Sequence, residues 1–200
     1  MRVRMASKGD RLGRGTDWTF MMLENLRQDT RRLREIKTKS WPWYLIESLL
    51  FENGYQAVVL YRLGSWFKRH GIPVMGPLVA RFSLFLTGVD IAPGAEIGPG
   101  FRIAHGVGLV IGDQVKMGSG ALLLHQVTVG AATTGSRDRM PVLGDNVFVG
   151  AGATIIGGVK VGSNVFIGAN ALITEDLPDD CKAIVEQRLD VVRRERPQSA

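Results

Sequence analysis

From Val89 onward, apolar or small residues return at every sixth position, and few architectures can satisfy that period. One block runs Ile91, Ile97, Ile103, then Ile111, Met117, Leu123 and Val129; a second runs Leu143, Val149, Ile155, Val161, Ile167 and Ile173. A companion set follows most of these by four positions, at Ala95, Phe101, Val107, Val115, Ala121, Val127, Val147, Ala153, Val159, Val165 and Ala171. An α-helix repeats every ~3.6 residues and a strand every two, so neither generates this pattern. A short strand and a tight turn repeated every six residues does. Three such units close one triangular coil, and stacked coils bury the inward side chains that a single coil leaves wet. The sequence therefore predicts a mainly β fold, a parallel β-helix over 89–178.

The phase slips twice. Ile103 to Ile111 exceeds a hexad by two residues, and Val129 to Leu143 exceeds a pair of hexads by two. Insertions in a solenoid leave the coil as loops, commonly on the binding face. His105 lies in the first slip, and residues 131–141 form most of the second.

The residues before the repeat read differently. Residues 1–17 are expected to be a flexible basic leader, 18–88 a helical region, and 179–200 a tail. Trp18 to Ile36 reads as one helix. Ser40 is placed to cap a second, with Pro42 in its first turn and Asn53-Gly54 at its end. Tyr55 to Arg69 reads as a third and Pro73 to Leu86 as a fourth, with Gly76-Pro77 as a kink or break. Packing explains the aromatic residues of these helices; a lipid-touching surface of Trp41, Trp43 and Trp66 is the competing reading.

The formal charge of +6 resides in residues 1–39, which hold eleven Lys/Arg against five Asp/Glu. The remainder is balanced, which argues against a nucleic-acid-binding core, since backbone recognition needs a continuous basic surface. One cysteine, Cys181, excludes an internal disulfide framework and a Cys-based metal cluster, and no metal is expected. No secretory pattern opens the chain, and the apolar window Ile72 to Gly88 contains Arg81 and falls short of a spanning helix. The expected location is the cytoplasm, with peripheral contact at the inner face of the membrane as a second reading.

His105 stands in the first slip, and His125 stands between Leu124 and Gln126 in an otherwise regular rung. An imidazole can take a proton near neutral pH, as a hydroxyl nucleophile requires. Asp90 precedes His105 by fifteen residues, close to one coil, so its carboxylate is placed to orient the ring. A histidine filling a widened corner, with Asp90 capping a turn, fits the same spacing. His125 competes as the base or points outward at a subunit junction. In the second slip, Gly130, Ala131 and Ala132 are small enough to admit a narrow ligand against the backbone, and Arg137 and Arg139 add fixed positive charge.

These segments resemble the serine acetyltransferase branch of the hexapeptide-repeat acyltransferases. The resemblance runs from about Leu45 to Pro178 and looks closest to the short exopolysaccharide, colanic-acid-type O-acetyltransferases. It rests on Gly54-Tyr55-Gln56-Ala57, Tyr61-Arg62, Gly88-Val89-Asp90-Ile91-Ala92-Pro93-Gly94, the His105 segment, Val127-Thr128-Val129-Gly130 and Gly150-Ala151-Gly152-Ala153. It implies a left-handed β-helix, a homotrimer or dimer of trimers with sites between subunits, and acetyl-CoA as acyl donor. It also implies that His105 is the general base, Asp90 its partner, and that Gly130, Ala131, Ala132, Gly150 and Ala151 line the CoA track. Ala131 and Ala151 match small residues whose backbones line the family's pantetheine track.

The departures from the family lie among the residues that read serine. Ala104 stands where an aspartate precedes the base, Arg139-Met140 replaces an Arg-His pair, and Lys39 aligns with a helical aspartate. Ala104, Arg139 and Met140, together with His125, form the expected acceptor-binding set. Their losses favour a saccharide or exopolysaccharide intermediate as acceptor. Serine or a related small hydroxy acid is the alternative substrate, and a non-catalytic trimeric scaffold the alternative without chemistry.

Overall fold

The computed structural model describes residues 16–34, 41–133 and 140–186. Four helices precede the repeat: α1 (Thr16–Arg34), α2 (Trp41–Phe51), α3 (Asn53–Arg69) and α4 (Met75–Thr87). Thr16 and Asp17, assigned to the leader from sequence, already belong to α1, while Ser40 lies outside the described residues.

Asn53-Gly54 does not end α2 but opens α3. The break is Glu52, whose extended backbone (φ −95°, ψ 97°) separates the two helices. Packing dictates this: a Cβ at Gly54 would overlap the Ile103 carbonyl, so glycine lets α3 lie directly on the first coil. Gly76-Pro77 makes no kink either. Both residues sit in the first turn of α4, where the missing proline N–H has no helical partner to lose. Gly76 instead permits a close crossing, since a Cβ there would come within 3.0 Å of the Gly64 carbonyl of α3.

The repeat forms a left-handed parallel β-helix. Its first circuit holds β1 (Asp90–Ile91), β2 (Glu96–Ile97) and β3 (Arg102–Ile103). The second holds β4 (Val110–Ile111), β5 (Lys116–Met117) and β6 (Leu122–Leu123). The third holds β7 (Thr128–Gly130), β8 (Val142–Leu143) and β9 (Phe148–Val149), and the fourth β10 (Thr154–Ile156), β11 (Lys160–Val161) and β12 (Phe166–Ile167). β13 (Leu172–Ile173) and β14 (Lys182–Ala183) continue the stack. Every third strand pairs in parallel, giving one sheet of β1-β4-β7-β10-β13, a second of β2-β5-β8-β11 and a third of β3-β6-β9-β12-β14.

In the paired strands one residue points in and its neighbour out. Ile91, Ile111, Val129, Ile155 and Ile173 stack inside the first sheet, with Ile111 in register between Ile91 and Val129. The companion residues fill the corners, and all but one are buried. Val107 is the exception, 60% exposed, while Leu109 is fully buried in its place. The two extra residues enter before the inward position, so the four-residue spacing fails there.

Candidate functional site

The first phase break lies at the corner joining the third sheet to the first. Elsewhere along this corner, one residue per circuit takes the left-handed conformation: Gly108, then Gln126, Gly152 and Asn170. The first circuit adds a second left-handed residue, His105, at φ 56°. The loop is tied down on both sides. The Ala104 N–H donates to the Leu123 carbonyl at 2.9 Å, the Gly108 N–H to the Gly88 carbonyl at 2.8 Å, and the Asp90 N–H to the Leu109 carbonyl at 2.9 Å. Gly106 is wedged beside Ile103 and Val89, where a Cβ would come within 2.7 Å of either side chain. An exposed imidazole is thus held out of the coil by a rigid bulge.

Asp90 occupies the outward, half-buried position of β1, at the edge of the first sheet that meets this corner. The bonds of the bulge to Gly88 and Asp90 bring the two residues to one corner. No hydrogen bond joins their side chains among the described residues. His125 is exposed at the same corner one circuit further on, and its carbonyl accepts the Gly152 N–H at 3.0 Å. Both histidines therefore stand on one edge of the first sheet.

The second phase break leaves the opposite edge of that sheet. Gly130 ends β7, and Ala131 and Ala132 follow at the corner leading to the second sheet. Where a Cβ at Gly130 would stand, no atom of the described residues lies within 4 Å, which leaves the backbone open among them to a narrow chain. Gly150 and Ala151, by contrast, lie on the His105 edge, before β10. The five small residues read together from sequence thus divide between two edges, separated by about 10 Å, the length of a three-residue strand. Met140 packs on the core beside Gly112 instead of standing in the loop as a polar reader would. Arg137, Arg139 and Lys39 lie outside the described residues.

A cluster with no signal in the periodicity fastens the helices to the first coil. Arg62 of α3 donates from Nε to Asp29 of α1 at 2.9 Å, and from its terminal nitrogens to the Ile97 and Gly98 carbonyls at 2.6 and 2.7 Å. Asp29 accepts the Phe101 N–H at 2.8 Å. Burial pushes the Asp29 carboxyl above its ordinary value, against the pull of the Arg62 guanidinium and of the Phe101 N–H. The Tyr61 hydroxyl donates to the Ala95 carbonyl at 2.8 Å and accepts the Ile97 N–H at 3.2 Å, and burial raises its phenol above the ordinary value too. A groove of about 720 Å³ lies beside this cluster, between α1, α3 and the second sheet. It is lined by Trp18, Trp66, Lys116 and Asp145 and faces away from the His105 corner. No group of acidic, histidine or cysteine side chains able to hold a metal occurs among the described residues.

Comparison with known proteins gives a consistent answer. Residues 140–175 match the family model described as bacterial transferase hexapeptide (six repeats). A serine acetyltransferase of Synechococcus elongatus is 41% identical over 139 residues, covering 70% of this chain and 57% of that protein. One from Helicobacter pylori is 38% identical over 138 residues, covering 69% of this chain and 81% of that protein. Among solved structures, the serine acetyltransferase of Neisseria gonorrhoeae in complex with serine superposes with a TM-score of 0.75 at 28% identity, over 84% of this chain and 68% of that one.

These relatives correct the placement beside exopolysaccharide, colanic-acid-type enzymes, and with it the saccharide acceptor and the assignment to exopolysaccharide biosynthesis. The physical error lay in counting substitutions. Losing individual polar readers at Ala104 and Met140 removes contacts, yet backbone groups or a neighbouring chain can meet the charges of a small ligand. Such losses do not by themselves specify another acceptor.

Proposed function

The chain belongs to the serine acetyltransferase family of hexapeptide-repeat acyltransferases, and on that premise we propose that it transfers the acetyl group of acetyl-CoA to the hydroxyl of serine. The observation that carries this reading is His105, an exposed imidazole in a two-residue bulge, locked at the corner where Asp90 begins the first sheet.

His105 accepts the proton of the serine hydroxyl as that oxygen attacks the thioester carbonyl carbon. A C–O bond forms, the C–S bond breaks, and the departing thiolate recovers the proton from the imidazolium. The Asp90 carboxylate, at the same corner, favours the charged form of the ring by its negative charge. His125, one circuit away, borders the acceptor side. The open backbone at Gly130, with Ala131 and Ala132, fits a narrow pantetheine-like chain, and Gly150 and Ala151 offer the same on the other edge.

Because these two sets of residues occupy opposite edges of one sheet, a single chain does not assemble them into one site. We propose a homotrimer in which the His105 edge of one chain faces the Gly130 edge of the next. Each junction then holds one site, and trimers remain able to pair through their helical ends. The chain spans 57% of the Synechococcus relative and 81% of the Helicobacter one, so this activity and assembly are proposals about the chain itself.

The test is acetyl transfer from acetyl-CoA to serine, followed by thiol release and by the mass of the product. O-acetylserine should form, and His105→Asn should lower turnover by ~10²–10⁴. Asparagine already occupies left-handed corners at Asn146, Asn164 and Asn170, so this variant keeps the bulge. A folded protein that releases no thiol with serine would reject the reading.

A further inference from the structure

We propose that Gln126 reads the acceptor's carboxylate and so helps to determine specificity at the His105 corner. The assignment rests on the acetyl transfer to serine proposed above. Along this corner the left-handed position is taken by Gly108, Gly152 and Asn170 in other circuits, and by Gln126, at φ 56°, in the second. Glycine adopts that conformation without steric cost and asparagine visits it routinely, whereas the Cβ of a glutamine crowds the following carbonyl there. Such strain persists where the surrounding structure holds it, and it gathers at functional sites.

Contacts fix where the side chain runs. The Gln126 N–H donates to the Val107 carbonyl at 3.0 Å, inside the His105 bulge. A Cβ at Gly108 would come within 3.2 Å of Gln126 Cγ, so the glutamine stem lies on Gly108 and runs toward the first circuit. Gly108 is itself tied to Gly88, shortly before Asp90. The stem therefore carries its carboxamide toward the circuit that holds His105 and Asp90. Gln126 is exposed, and its carboxamide makes no hydrogen bond among the described residues.

Charge decides which end of serine this group meets. Asp90 makes the corner anionic, which favours the α-ammonium group. The carboxylate needs N–H donors instead, and the side chains of Ala104 and Met140 offer none. A carboxamide supplies two N–H donors and no charge of its own. It can hold a carboxylate without opposing the imidazolium that forms at His105, as a cationic reader would.

The test follows thiol release from acetyl-CoA by the full chain, with serine and with serinamide, which keeps the hydroxyl and the amino group but lacks the carboxylate. Gln126→Gly keeps a corner that glycine already fills at Gly108 and Gly152. It should raise KM for serine ~10-fold and leave kcat and the KM for acetyl-CoA unchanged, because a hydrogen bond to a charged group is lost equally from ground and transition states. Turnover of serinamide should not change. Gln126→Glu keeps the shape but repels a carboxylate, and should raise KM for serine further. A parent chain that releases no thiol with serine overturns the proposed reaction, and this assignment with it. A parent chain active on serine, whose two variants keep its KM, overturns the assignment alone. So does an equal loss with serinamide, the mark of a role in holding the bulge. So does tighter serine binding by Gln126→Glu, since the side chain would then face the ammonium group.

Discussion

The β-helix and the helices before it achieve burial by opposite means. In the β-helix the inward positions are nearly interchangeable: Ile, Val, Leu, Met, Ala and Phe all serve, because each circuit repeats the last and the backbone supplies the polar bonds. The helical region depends on particular side chains. Arg62, Asp29 and Tyr61 reach carbonyls and two N–H groups of the first coil, while α2 and α4 leave much of their apolar surface uncovered. Repetition therefore makes a scaffold that tolerates exchange among apolar residues, whereas the annex is fastened to the coil through particular polar side chains.

Substitutions can break that contrast. The largest effect is expected from a charge inside the stack. Ile155→Asp would put a carboxylate where no polar partner exists and should prevent folding, as read by circular dichroism and solubility. Asp29→Ala comes next. It would strand the Arg62 guanidinium, itself 5% exposed, and should cost about 3–5 kcal/mol in denaturant unfolding. A smaller loss is expected for Ile167→Val, about 0.5–1.5 kcal/mol, because the stack accepts another apolar residue at nearly the same volume. Lys68→Met should be smallest, about 0–1 kcal/mol, since the Lys68–Asp113 pair is roughly half exposed on both sides and screened by water. If Asp29→Ala proved as mild as Lys68→Met, the clamp would not be what fastens the annex.

The same contrast explains what the sequence made legible. A six-residue period is visible because each inward residue answers to its neighbours one circuit away, and the two slips in phase located both His105 and the Gly130 loop. The failures came where local spacing does not determine the outcome. Val107 kept the four-residue spacing but lies outside, because only the folded bulge shows on which side of the inward position the extra residues enter. Asn53-Gly54 has the composition of a helix end, yet Gly54 is there to let α3 touch Ile103. The Asp29–Arg62 pair joins residues 33 positions apart on two helices and leaves no periodic trace. The saccharide acceptor expected from Ala104 and Met140 is overturned by the relatives, since absent readers do not by themselves specify another acceptor.

In the proposed trimer the His105 edge and the Gly130 edge make a site only when they come from different chains. Mixing two inactive variants tests it. His105→Asn removes the base, and Gly130→Trp fills a track in which no atom of the described residues lies within 4 Å of the added Cβ, so it blocks ligand. Refolded together in equal amounts, the two should regain about a quarter of the wild-type serine acetyltransferase activity, because one junction in four then pairs an intact His105 edge with an intact Gly130 edge. A mixture that forms trimers yet stays as inactive as its components would contradict the shared site.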